Sequence, residues 1–216
     1  MRPSDGSAWV TGTSSGIGKA VTQELVERGW TVYATARRTA ALEKLADGSG
    51  GKIVPVPGDV TRAEDMSSAV KRITGDGPLA LAILNAGVYH PMRAQTFSAE
   101  KARATFDVNL TGVANCLEPV LQTMIARSSG HVALVASVAG YRGLPNAAAY
   151  SATKAGLIAM AEALAMDLVD LDVRISVVNP GFVETEATEV NEFKMPMLLQ
   201  PDEAARRMVD GGPFGF

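Results

Sequence analysis

Short, nearly continuous apolar runs alternate along the chain with longer stretches in which apolar side chains return every three or four residues. The runs are Ala8-Trp9-Val10-Thr11, Thr31-Val32-Tyr33-Ala34-Thr35, Lys52 to Val56, Leu79 to Leu84, His131 to Ala136 and Val173 to Val178. Their length and β-branched content predict strands buried on both faces. Between them, Ile17, Val21, Leu25 and Arg28 recur with a helical period and predict a helix from about Ile17 to Arg28, ended by Gly29. Helices are also predicted over 40–46, Thr61–Thr74, Tyr150–Leu168 and Pro201–Val209. Thr61-Arg62-Ala63-Glu64 reads as a capping box. A long helical stretch from Ser98 to Ala126 contains Pro119, which permits either a kink or a break into two helices. Strands that alternate with helices and are apolar throughout predict an α/β fold of three layers, doubly wound, with a mainly parallel sheet of six strands. Ligands of such a sheet bind beyond the C-terminal ends of its strands.

The 216 residues are 47% hydrophobic, enough for one substantial core, so a single domain over 1–216 is expected. Only 6% of residues are aromatic and the formal net charge is −3, which gives no general attraction for polyanions and argues against nucleic acid as a partner. Cys116 is the single cysteine, and His90 and His131 stand far apart without ligand spacing, so no metal site is expected. No apolar run reaches the roughly 18–20 residues that span a bilayer. Met1 to Ser7 is polar and not followed by a signal-peptide core, so cytoplasmic localisation without integral membrane association is the expectation.

The turn from the first strand into the first helix reads Thr11-Gly12-Thr13-Ser14-Ser15-Gly16-Ile17-Gly18. Gly12 suits a tight turn, Gly16 close approach of the backbone to a pyrophosphate, and Gly18 close packing of helix on sheet. The alternative is a flexible turn with incidental glycines. At the end of the second strand Tyr33-Ala34-Thr35-Ala36-Arg37-Arg38 offers two guanidinium groups and no acid. Arginine attracts the 2′-phosphate of NADP, whereas NAD commonly meets a carboxylate there, so NADP is expected over NAD. Alternatively, these arginines are solvated at a helix start. Asp59, followed by Val60, either accepts from an adenine amine or serves as a turn or cap residue.

Tyr150-Ser151-Ala152-Thr153-Lys154 puts a phenol and an ammonium one helical turn apart. A nearby ammonium favours the phenolate, and such a pair can move a proton while a cofactor moves a hydride. The spacing is common and acquires meaning only from its surroundings. Ser137 follows the fifth strand, and Asn109 lies within a helical stretch where bonding of its side chain to local backbone is the plainer explanation.

Together with Asn85-Ala86-Gly87 after the fourth strand and Pro180-Gly181 after the sixth, these elements occur in one order along most of the chain. The sequence thereby resembles the short-chain dehydrogenase/reductase family, of the classical type and its NADP-preferring branch. The resemblance implies a Rossmann-like fold and an NAD(P)-dependent oxidoreductase that transfers a hydride between the nicotinamide and a small-molecule carbonyl or secondary alcohol. It implies Tyr150 as general acid or base and Lys154 as the group that lowers its pKa and holds the nicotinamide ribose. Ser137 positions the substrate oxygen, and Asn109 holds a water linking Lys154 to solvent. The cofactor is implied to meet Gly12, Ser14, Ser15, Gly16, Ile17, Gly18, Arg37, Arg38, Asp59, Val60, Asn85, Ala86, Gly87, Tyr150, Lys154, Pro180, Gly181, Val183 and Thr185. Two departures stand out: Leu84 replaces an asparagine, and Ser15 stands where a basic residue often does, leaving the NADP preference on Arg37 and Arg38.

The segment of about 182–200 is expected to form a substrate lid, its Phe182, Phe193, Met195, Met197 and Leu198 lying alongside Glu184, Glu186 and Glu189. With Tyr141, Leu144 and His90 these apolar side chains either shape a hydrophobic pocket or serve helix packing. The stretches 98–126 and 150–168 resemble the family's pairing helices and imply a homodimer. After Val209 the tail 210–216 has no β-rich run, so the family's seventh strand is expected to be absent and stability lower than in a seven-stranded relative. That tail is the one feature favouring an alternative, a non-catalytic nucleotide-binding or regulatory protein.

Overall fold

In the computed structural model, which describes residues 1–186, 188 and 195–210, the six apolar runs become one sheet. Its strands are β1 (Ser7–Thr11), β2 (Val32–Thr35), β3 (Ile53–Pro55), β4 (Leu79–Leu84), β5 (Gly130–Val135) and β6 (Val173–Val178). All pair in parallel, in the order β3-β2-β1-β4-β5-β6. The order reverses between β1 and β4, so a crevice opens at their C-terminal ends.

The helices are α1 (Gly16–Glu27), α2 (Thr39–Ala46), α3 (Ala63–Asp76), α4 (Ala99–Phe106), α5 (Gly112–Ala126), α6 (Ala148–Asp167) and α7 (Pro201–Val209). They cover both faces of the sheet, and the two-residue period of a strand divides the core between them. Along β1, Trp9 packs with Met66, Ile73, Leu117, Val120 and Leu157 on the face covered by α3, α5 and α6. Its neighbours Ala8 and Val10 pack with Val21, Leu25, Val135 and Ala205 on the face covered by α1 and α7. The buried indole N–H of Trp9 donates to Thr35 Oγ1 at 2.8 Å, so the large ring carries no unsatisfied donor. At the end of α1, Trp30 N–H donates to Leu25 O and Gly29 N–H to Val26 O, a paired arrangement that satisfies the last carbonyls.

Local chemistry departs from expectation in three places. The stretch 98–126 does divide, but not at Pro119, which lies inside an unbroken α5; the division is a π turn at Asp107–Thr111 between α4 and α5. The Thr61–Glu64 capping box does not form. Thr61 N–H and Oγ1–H both donate to Asp59 Oδ1, and α3 starts after Arg62 without a side-chain cap. Helix α6 starts at Ala148, so Tyr150 lies in its first turn rather than at its start. Pro55 sits in β3, where an edge strand tolerates the missing donor. Of the expected lid, Val183 and Leu199 bridge at its base, while Glu189, Phe193 and the tail residues 211–216 lie outside the described residues.

Candidate active site

The ends of β1 and β4 are joined by side chains at the point where the strand order reverses. Thr11 Oγ1 accepts from the backbone N–H groups of Asn85 and Ala86 at 3.0 and 3.1 Å. Asn85 Nδ2 donates in return to Thr11 O at 3.1 Å and Gly12 O at 3.3 Å. This brace brings the first turn of α1 down onto the sheet. A Cβ on Gly18 would lie 2.2 Å from Gly12 O, and one on Gly12, whose φ is +74°, would lie 2.7 Å from Ala86 Cα. Only glycine permits that approach. Ser15 precedes α1 but makes no side-chain cap, which leaves the first-turn amides for an anionic ligand. Its hydroxyl donates to Glu186 Oε2 at 3.4 Å instead.

A cavity of about 640 Å³ starts at this cradle and runs across the C-terminal ends of the strands. Its wall includes Gly12, Ser14, Ser15, Gly16, Ile17, Arg37, Asp59, Val60, Asn85, Ala86, Gly87, Ser137, Tyr150, Lys154, Pro180, Gly181, Val183 and Thr185. Gly18, Arg38 and Asn109 are the expected site residues outside that wall. Gly18 acts on the cradle through the packing just described. Arg38 precedes α2 as its cap residue, so of the two arginines only Arg37 borders the cavity, exposed and without an ion pair among the described residues. Asp59 takes the turn role, accepting from Thr61 N–H and Oγ1–H through Oδ1, and its residue also lines the cavity.

At the other end of the cavity, Tyr150 is half-buried and Lys154 is buried. Lys154 Nζ donates to Val135 O at 2.8 Å and lies 5.4 Å from the centre of the Tyr150 ring. Burial pushes the Lys154 ammonium down from 10.5 to about 8. Burial also pushes the Tyr150 phenol up from its ordinary value, against a lowering hydrogen bond from Ser137 and with a smaller raising contribution from Tyr89. The expected lowering of Tyr150 by Lys154 is therefore not what the geometry produces. The ammonium is bonded to the Val135 carbonyl beside the phenol ring, and desolvation prevails.

Asn109 is buried in the π turn, a distortion of helix that recurs at functional sites. Its amide is committed to the chain rather than to local helix backbone: Oδ1 accepts from Val88 N–H at 2.8 Å, and Nδ2 donates to Val88 O at 3.0 Å and Thr153 Oγ1 at 3.2 Å. The side chain thus fastens the loop after β4 to α6. On the far wall, Asn179 Nδ2 donates to Tyr141 Oη at 2.7 Å, linking the loop after β5 to the one after β6.

Sequence reasoning missed Thr11 as the brace and Tyr89 as a wall residue. The Tyr89 ring meets the Tyr150 ring edge-on, with centroids 5.1 Å apart and planes at 64°. Val138, Leu144, Pro145, Phe182 and Pro196 also border the cavity. Tyr141, Leu144 and Met197 are exposed, and of these three Leu144 borders the cavity. His90, expected near this pocket, bonds Thr105 at 3.1 Å and lies outside the wall. Among the described residues no group of acidic, histidine and cysteine side chains has metal-binding geometry, and no helix is long and apolar enough to cross a membrane.

Comparison with known proteins gives this geometry a context. The sequence pattern of the short chain dehydrogenase family matches residues 7–195. An uncharacterized oxidoreductase of Myxococcus xanthus is 39% identical over 209 residues, spanning 95% of this chain and 83% of that protein. The 3-oxoacyl-[acyl-carrier-protein] reductase of Thermotoga maritima is 33% identical over 210 residues, with 95% and 83% covered. Among solved structures, an actinorhodin polyketide ketoreductase with NADPH superposes with a TM-score of 0.87 at 26% identity, covering 97% of this chain and 91% of the other. A 3-ketoacyl-(acyl-carrier-protein) reductase of Brucella melitensis with NADH gives 0.88 at 26% identity, covering 94% and 89%.

Proposed function

Since the chain belongs to the short-chain dehydrogenase family and is an NAD(P)-dependent oxidoreductase, we propose that it prefers NADP and acts on a carbonyl or secondary alcohol flanked by apolar groups. The observation that carries this reading is one continuous cavity with the glycine cradle at one end and Ser137, Tyr150 and Lys154 at the other. The residues present fit a dinucleotide, because a Cβ on Gly12 or Gly18 would close the cradle and the α1 amides there lack a side-chain cap. Arg37 would hold the 2′-phosphate by charge-assisted bonds, and Asp59 would lie beside the adenine. Bound there, the nicotinamide supplies or accepts the hydride.

The chain's own residues handle the proton. Ser137 and the Tyr150 hydroxyl hold the substrate oxygen between them. Tyr150 donates its proton to that oxygen in reduction and takes one back in oxidation. Burial suits the phenol to the reductive role, because a raised pKa keeps it protonated at neutral pH. Lys154, fixed by Val135 O, replaces the proton and would hold the nicotinamide ribose. The far wall admits apolar substituents, consistent with relatives named for 3-oxoacyl groups. Two copies pair through the 98–126 and 150–168 stretches, a reading supported by exposed Phe106, Ile125 and Met166 and tested by light scattering.

The test is a cofactor-consumption screen of purified protein with NADPH and NADH across aldehydes and ketones. Tyr150→Phe is expected to lower turnover by about 10²–10⁴-fold while leaving cofactor affinity intact. Undiminished turnover in that variant overturns the mechanism, and an NADH preference overturns the role of Arg37.

A further inference from the structure

Tyr89 follows the Asn85-Ala86-Gly87 turn, and no role for it follows from the proton relay alone. Three observations define its setting. Its ring meets Tyr150 edge-on at 5.1 Å and 64°, the geometry in which the positive edge of one aromatic ring meets the negative face of another. It borders the substrate end of the cavity, and its hydroxyl makes no hydrogen bond among the described residues, so the ring accounts for its contacts there. Its backbone position is fixed, because the preceding residue, Val88, is bonded at both N–H and C=O by the buried Asn109 amide. Besides the hydrogen bond between its hydroxyl and Ser137, the Tyr150 side chain thus meets two groups on its ring, the Lys154 ammonium and the Tyr89 ring.

We propose that Tyr89 is a positioning and specificity residue: its ring holds Tyr150 in the orientation needed for proton transfer and limits the size of the carbonyl substituent on its side of the pocket. The proposal rests on the reading of Tyr150 as the proton donor. The effect is assigned to the ring of Tyr89 and not to its hydroxyl. With the backbone of Val88 beside it pinned by Asn109, the phenol ring narrows that side of the pocket and favours slender substituents there over branched ones. Ketones with an unbranched substituent on that side are then preferred over those with a branched one.

The experiment compares wild type, Tyr89→Phe and Tyr89→Ala with NADPH on a series of methyl ketones and their ethyl and isopropyl counterparts. Tyr89→Ala is expected to lower kcat on methyl ketones by about tenfold, the scale of one lost aromatic pair, with KM changed less. Its kcat/KM ratio of bulky to methyl ketones should rise, and Tyr89→Phe should restore wild-type values for both. An unchanged ratio in Tyr89→Ala, or a Tyr89→Phe variant as impaired as Tyr89→Ala, overturns the proposal. Tyr150→Phe is run alongside: retained turnover there overturns the proton-donor reading and the positioning role with it, whereas the size limit is still judged by the ratio. With four tyrosines in the chain, ring-labelled NMR supplies a readout without substrate. The Tyr150 resonances should lose their ring-current displacement in Tyr89→Ala and keep it in Tyr89→Phe, and the same displacement in all three proteins overturns the contact.

Discussion

Replacing Lys154 by methionine should abolish turnover while changing how stability responds to pH. Lys154 is only 4% exposed, so solvent screening does little for its charge. Burial moves its pKa from 10.5 to about 8, equivalent to about 3 kcal/mol against the charged form in the folded state. The unfolded chain, with its lysine near 10.5, binds more protons than the folded one between about pH 8 and pH 10.5. Wild-type stability therefore rises with pH through that window, and the contribution is lost as pH falls through about 8. Going from about pH 7 to about pH 9.5 should recover about 2 kcal/mol of the penalty.

The comparison isolates this charge because methionine keeps much of the side-chain volume and does not titrate. Loss of the hydrogen bond to Val135 O destabilises the variant, and any difference in that bond between the ammonium and amine forms is already contained in the folded pKa of about 8. Tyr150, pushed upward by burial, stays protonated over the range. Thermal melts of both proteins at about pH 7 and pH 9.5 should then show wild type gaining about 4–8 °C on Lys154→Met as the pH is raised, the shift that about 2 kcal/mol gives a chain of this size. An equal gap between the two proteins at both pH values would show that Lys154 is not desolvated and would remove the physical basis of its place in the proton relay.

Three further outcomes follow from the cofactor end. Arg37→Ala should weaken NADPH binding by about 10–100-fold, the worth of a charge-assisted hydrogen bond, and leave NADH binding nearly unchanged, as read by fluorescence titration. Arg38→Ala should have the smaller effect because it lies outside the cavity wall, and the reverse order would refute the assignment. Glu186→Gln should tighten binding of either dinucleotide a few-fold at low salt by removing the carboxylate that contacts Ser15, with the gain fading as salt rises; weaker binding would mean that Glu186 helps rather than opposes the phosphates. Gly18→Ala should lower stability by about 1–3 kcal/mol and weaken cofactor binding, since its Cβ would lie 2.2 Å from a carbonyl oxygen. A melt and a cofactor affinity equal to wild type would show that the cradle can relax.

The sheet was legible because each strand is apolar on both faces, a pattern that few arrangements other than a helix-covered parallel sheet can satisfy. Gly12 and Gly18 were legible for a related reason, since a turn that brings helix onto strand leaves no room for side chains. What sequence concealed were contacts made across long chain separations. Asn109 looked like a polar residue bonding within its own helix, yet its partners are Val88 and Thr153, 21 and 44 residues away. The π turn that turns it inward adds a residue to a helix without disturbing the apolar pattern on either side. Thr61, which a local pattern marked as a helix cap, instead donates both its N–H and its hydroxyl to Asp59, because one carboxylate oxygen at the end of the β3 loop accepts two bonds at once. Nothing local marks the Tyr89 ring as turning toward Tyr150.

The unexpected direction of the Tyr150 shift makes the proposed relay more coherent. If Lys154 simply lowered the phenol, the site would store tyrosinate, a poor donor for reduction. Burial instead raises the neutral acid and lowers the cationic one, to about 8 for Lys154, so the usual separation between phenol and ammonium is inverted. Tyr150 is then protonated when a carbonyl arrives. Once it has given up that proton, the tyrosinate is a stronger base than the Lys154 amine, and transfer back from the ammonium is downhill. The bond from Lys154 to Val135 O keeps the amine beside the ring during that exchange, and the Asn109 brace on Val88 fixes the loop that carries Tyr89. The desolvation that weakens the fold at neutral pH is on this account what orders the two proton transfers, which is why the stability and the turnover of Lys154 variants should respond to the same residue in opposite directions.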